Sequence, residues 1–125
     1  MNLALEPDEE HRPTMKTRYI TEMGMGTDVH GRDYTQAAER AVFDAIHHSS
    51  LHFFAPLDKT ANDMFIDLMI GIPEPDQVDK ERVAAALPYG TVSVEVVKGG
   101  LEIPADDGKD AIVIANAGIV VRLAD

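Results

Sequence analysis

The chain contains no cysteine and no tryptophan. Without cysteine, disulfides, thiolate nucleophiles and Cys-ligated zinc or iron–sulfur centres are excluded. Three tyrosines and four phenylalanines are too few to make a stacking platform for single-stranded nucleic acid. Basic residues are scarce: 11 Lys and Arg stand against 22 Asp and Glu, a net charge of −11. That balance denies the protein the basic stripe a nucleic-acid binder needs to displace counterions. It equally argues against docking on anionic lipid. No apolar run approaches the length of a membrane span, and no basic-then-apolar leader opens the chain. The expectation is a soluble, cytoplasmic protein.

What is present fits a single globular domain. The 125 residues are 45% hydrophobic and 26% charged, within the ordinary globular range. Residues 1–14 read as a flexible acidic extension: Glu6, Asp8, Glu9 and Glu10 oppose only Arg12, with two prolines and no periodicity. The folded unit is expected over 15–125.

Along that unit, alternation over 16–23 predicts a strand, with Gly24, Gly26 and Gly31 turning the chain into a helix. Asp33 and Gln36 form a capping box for that helix, whose stripe of Ala37, Ala38, Ala41, Val42, Ala45 and Ile46 runs towards residue 49. A second strand over 63–72 is apolar on both faces, which predicts a central strand covered on both sides. Asp79 caps a second helix, with Val78 and Val83 placed as a hydrophobic staple. Val92, Val94 and Val96 alternate with polar residues. Gly99-Gly100 then reads as a hairpin turn into a short return over 101–104. After the turn at Asp106-Asp107-Gly108, two apolar strands are expected, broken by Asn116 and Gly118. The order β-α-β-α-β-β predicts an α+β two-layer sandwich, with a mixed four- to five-stranded sheet and two helices on one face. The other face stays apolar and uncovered, which predicts a homo-oligomer.

The segment Gly24-Met-Gly26-Thr-Asp28-Val-His30-Gly31 stands out chemically. It fails the dinucleotide fingerprint, because Val29 occupies the position of the third glycine. No Gly-Lys-Ser/Thr phosphate loop is present. In extended chain, Asp28 and His30 point the same way. A carboxylate beside an imidazole suits two jobs: two ligands of a divalent metal, zinc-like, or an oriented acid/base pair. Gly24, Gly26 and Gly31 would let a ligand or cofactor approach the backbone. The plainer alternative is an Asx-turn in which Asp28 bonds backbone N–H groups. Two ligands do not hold a metal. His48, near the end of the first helix, is a third ligand only if a symmetry mate supplies it. Glu22 ends the first strand nearby. Asp67 lies mid-strand among apolar residues, where a carboxylate is costly unless paired, with Arg18 as one partner. Both are candidate catalytic groups beside Asp28 and His30.

Residues 15–23, followed by this segment, resemble a small family of conserved hypothetical proteins from bacteria and plants with the signature G-x-G-x-D-x-H-G. Arg40-Ala41 and Pro88-Tyr89-Gly90 share in the resemblance, which covers 15–125 and leaves the acidic extension outside. It implies that Asp28 and His30 are family features, and it leaves the reaction open. Locally, residues 26–30 also resemble the G-x-D-x-H metal-binding motif of methylerythritol cyclodiphosphate synthase. That likeness implies a zinc ion near a subunit interface. The element order is similar to trimeric chorismate-mutase-like folds and to ring-opening amidohydrolase repeats. Two functions follow as expectations. One is a small oligomeric enzyme, hydrolase or lyase in type, acting on a small polar metabolite. The other is a non-catalytic assembly or small-ligand-binding protein in which the Gly/Asp/His segment is a structural turn.

Overall fold

A computed structural model describes residues 17–47, 64–87 and 90–123. The expected acidic extension and His48 lie outside these residues. The elements are β1 (Thr17–Asp28), α1 (Tyr34–His47), β2 (Met64–Ile72), a 3-10 turn (Pro75–Gln77), α2 (Lys80–Ala84), β3 (Thr91–Lys98), β4 (Leu101–Pro104) and β5 (Ala111–Leu123). They form a mixed five-stranded sheet with both helices packed on one face, as the hydrophobic periodicity predicts.

The last strand, and not the second, organises the sheet. β5 is one continuous strand of 13 residues. β1 pairs antiparallel along its whole length on one side. On the other side β2 pairs with its C-terminal half and β4 with its N-terminal end. Pairing with β1 on one side and β2 on the other continues unbroken through Asn116 and Gly118. The break expected there is absent because both residues belong to the helix-free face. β2 lies between β5 and β3, but only one of its faces is covered. Ile66, Leu68, Ile70 and Ile72 are buried, whereas Asp67 and Met69 are exposed.

Gly99-Gly100 is not a hairpin turn. β3 pairs parallel with β2, whereas β4 pairs with β5. The two glycines carry the chain across the end of β2, where Gly99 N–H donates to the Ile72 carbonyl at 3.0 Å. Gly100 has φ +63°, and a Cβ there would collide with the Ile114 carbonyl oxygen.

The alanine stripe of α1 reaches the sheet closely. Ala37, Ala38, Ala41, Val42 and Ala45 are all fully buried. Directly beneath them, Gly24 and Gly26 lie inside β1, facing the helix. A Cβ on Gly24 would strike the backbone of Ala41 and Ala45; one on Gly26 would strike that of Ala37 and Ala41. These two glycines are therefore strand residues that admit a helix, rather than part of a turn that admits a ligand. α1 also bonds the outer edge of β1. Met25 N–H donates to Asp44 Oδ2 at 3.0 Å, and Arg40 donates to the Thr27 carbonyl at 2.7 Å. A bidentate Arg82–Glu39 pair, 2.7 and 3.1 Å, joins α2 to α1.

Candidate functional site

β1 ends at Asp28, and the chain then turns through His30-Gly31-Arg32 into α1. Gly31 and Arg32 both have positive φ, 89° and 49°. The left-handed region is natural for glycine and uncommon for arginine. Three carboxylates hold this turn. Asp28 Oδ2 accepts from Asp33 N–H at 3.0 Å. Glu102 of β4 accepts from Arg32 Nε at 2.7 Å and from the Tyr34 hydroxyl at 2.7 Å. Asp110, immediately before β5, accepts from Gly31 N–H at 2.8 Å and from its own neighbour Ala111 N–H at 2.8 Å. Asp33 caps α1 as expected, accepting from Gln36 N–H at 3.0 Å.

Asp28 and His30 part company at this turn, because strand geometry stops at Asp28. The Asp28 side chain is buried, only 4% exposed, under the first turn of α1. Its Oδ1 lies 3.8 Å from Arg40 and accepts from the Gln36 amide at 2.8 Å in the orientation that also lets Gln36 accept from Arg40. The bond to a backbone N–H is the kind of role the plainer turn reading gives Asp28, but it reaches five residues on rather than the two of an Asx-turn. His30 instead turns outward, its side chain 85% exposed, with Nδ1 3.0 Å from Asp110 Oδ2.

The charge of Asp110 decides the imidazole's tautomer. The Gly31 N–H, then the His30 ring and the Ala111 N–H, hold the Asp110 carboxyl down at about 2. An ionised carboxylate only accepts, so His30 donates through Nδ1. In the neutral ring, Nε2 then carries the lone pair. The ring borders an open cleft of about 320 Å³ whose other walls include Val29, Ile103, Pro104 and Ile112.

Two further shifts belong to the same cluster. Arg32 and Tyr34 hold the Glu102 carboxyl below its ordinary range. Burial, reinforced by the bond to Glu102, pushes the Tyr34 hydroxyl up to about 12.

The remaining sequence candidates are dispersed. Glu22 is half-buried on the helix-facing side of β1. Asp67 is exposed on the opposite face, 3.1 Å from Arg122 of β5. An arginine on a neighbouring strand does pair it, but that arginine is Arg122. Gly31 has open space around it. Zinc needs three or four protein ligands. Among the described residues, no three His, Asp or Glu side chains converge as such a set. Asp110, Glu102 and Arg32 were missed by sequence reasoning. Asp110 lies 80 residues from His30; the ladder that pairs Asp28 of β1 with Val113 of β5, and the hairpin between β4 and β5, bring it there. Ala105 N–H to the Asp110 carbonyl at 2.9 Å and Gly108 N–H to the Ala105 carbonyl at 2.8 Å close that hairpin.

Acid tests this anchor. The depressed Asp110 pKa contributes stability that is complete above the unfolded value of about 3.9 and lost as pH falls through about 2. In Asp110→Asn this contribution is absent at every pH. Its melting temperature should therefore fall less steeply between about pH 4 and pH 2 than that of the wild type. Parallel melting curves for the two proteins would refute the anchor.

Comparisons with known proteins agree with the fold. The sequence profile of a family described as "Conserved hypothetical protein (Lin0512_fam)" matches residues 18–121. A crystal structure described as an FtsZ-like protein of unknown function, from Nostoc punctiforme, superposes with a TM-score of 0.78 at 35% identity. The match covers 88% of this chain and 98% of that one. Comparison with curated proteins returns no match. Among the described residues, no helix is long and apolar enough to cross a membrane.

Proposed function

The chain belongs to the conserved hypothetical Lin0512 family, and from that premise we propose a small-ligand protein whose working group is the His30 imidazole. The observation that carries this reading is the 3.0 Å contact between His30 Nδ1 and Asp110. A histidine held through one nitrogen by a carboxylate has a fixed tautomer and presents the other nitrogen as a general base. The neighbouring cleft is walled mainly by apolar side chains, which suits a small molecule with an apolar body and one polar, proton-bearing group. Proton transfer of the hydrolase or lyase type is the chemistry this pair supports. Asp110, rather than Asp28, is the orienting residue.

Nitrogen-15 NMR of the neutral ring tests the proposal. The proton should reside on Nδ1 of His30 in the wild type and redistribute towards Nε2 in Asp110→Ala. A wild-type ring protonated at Nε2 would sink it. A thermal-shift screen against small metabolites supplies the ligand arm. Compounds that stabilise the wild type should lose that effect in His30→Gln while its unliganded melting temperature is kept. Stabilisation undiminished in His30→Gln would place the ligand elsewhere.

A second reading, a non-catalytic assembly protein, has its own support. The Asp28 carboxylate is engaged with Asp33 N–H and lies buried under the helix, as a structural turn would require.

A further inference from the structure

We propose that the helix-free face of the sheet is the surface on which a second copy of this chain docks. The strand registers define that face. Across it, Met23 of β1, Gly118 of β5, Met69 of β2 and Glu95 of β3 form one row. Met25, Asn116, Gly71 and Val97 form the next, and Thr27, Ile114 and Leu101 the one beyond. Ile103 pairs Ile112 at the far end. Met23, Met25, Met69, Leu101 and Ile103 are 49–75% exposed. This is a contiguous apolar surface rather than scattered single residues.

Its relief suits insertion. Gly118 has no side chain and open space above it, so the methionines on either side stand over a slot. Two hollows, of about 400 and about 350 Å³, share Met69 and Gly118 as common lining. Unbranched methionine side chains adapt readily to such a slot. A surface carrying both the ridge and the slot can be its own partner, as a closed symmetric assembly requires.

Charge selects a second copy over other occupants. The whole chain carries −11, so two copies repel over most of their surface. The open face is the exception: among the described residues its two hollows are lined by Arg18, Arg122 and Lys98 against Asp67 and Glu95, a balance of +1. Two copies meet there with little like-charge cost.

Size and edge agree. β5 is 13 residues long, about 43 Å at ~3.3 Å per residue. Three to four strands abreast, ~4.8 Å apart, give the face an extent on the order of 600 Å² before side-chain relief is counted. A standard interface uses about 800 Å² per partner. The outer edge of β1 is bonded by Asp44 and Arg40 of α1, which directs association to the face instead of that edge. Ile103 and Ile112 also wall the cleft beside His30, so a docked copy would reach the rim of that cleft.

This inference deepens the assembly reading and is independent of His30. A monomeric wild type leaves the His30 proposal standing, and failed ligand binding leaves this one standing. Sedimentation velocity on the full chain, over a hundred-fold concentration range, provides the test. The wild type should associate, and Met23→Lys/Met69→Lys should weaken association at least a hundred-fold while keeping the wild-type circular dichroism spectrum. Hydroxyl-radical footprinting reads the same face. Met23, Met25 and Met69 should oxidise several-fold more slowly in the associated protein than at dilutions where it is monomeric. An oligomer unaffected by the double substitution would place the interface elsewhere. A monomeric wild type overturns the proposal in either footprint. Methionines protected at every dilution would mean that residues of the same chain cover the face. Rapidly oxidised ones would mean that nothing does.

Discussion

Gly26→Ala should destabilise the protein by about 3 kcal/mol, the upper end of what overpacking a core costs. The added methyl would meet the backbone of Ala37 and Ala41 and lie 2.6 Å from the Arg40 carbonyl carbon. Ordinary Cβ contacts fall beyond about 3.4 Å. A flexible side chain would swing aside, but a helix backbone retreats only as a unit. Retreat would loosen Ala37, Ala41 and Ala45 together, all of them fully buried. Gly71→Ala is the control: its Cβ would sit 3.6 Å from Gly99 Cα, an ordinary contact. It should change stability by less than about 1 kcal/mol. Urea unfolding followed by circular dichroism compares the two. Equal midpoints would mean that α1 does not rest on β1 as closely as described.

Asp28→Ala should cost about 2 kcal/mol, within the range for a buried hydrogen-bonding group stripped of its partner. The substitution removes the acceptor of Asp33 N–H and of the Gln36 amide, and a carboxylate 3.8 Å from Arg40. Asp28→Asn keeps one acceptor oxygen and nearly the same shape, so it should recover part of the loss. The same urea titration measures both. Wild-type stability in Asp28→Ala would show that the turn holds without its carboxylate, and would reopen a chemical role for that side chain.

These two residues show how far the sequence could be read. The motif was visible, and so was its position between the first strand and the first helix. Its division of labour was not. Extended geometry predicts that Asp28 and His30 point together, but the strand stops at Asp28 and His30 lies in the turn beyond it, its side chain facing outward. Gly24 and Gly26 looked like turn residues because local sequence does not show what packs above a strand. Their actual neighbours, Ala37, Ala41 and Ala45, belong to the helix that follows, and its alanine stripe was the available clue. Asp67 looked costly because its sequence neighbours are apolar. Those neighbours alternate, and Asp67 lies on the exposed side, 3.1 Å from Arg122.

The sequence by itself determined most of the elements and the caps at Asp33 and Asp79, the excess of carboxylates, the absence of thiol chemistry and the two-layer α+β class. Each of these follows from local periodicity or from composition. Only the tertiary structure decided that β5 is the central strand, that β3 and β4 pair with different neighbours, and that Asp110 holds His30. Strand order and long-range pairing depend on which hydrophobic faces meet once the chain is closed. Asp110 and His30 are brought together by a hairpin turn and a ladder between β1 and β5, neither of which leaves a mark near His30 in the sequence. The scarcity of basic residues takes on a sharper meaning in the same way. Its −11 is a property of the chain, but its near-neutral exception on one sheet face exists only after folding sets Arg18 and Arg122 beside Asp67 and Glu95.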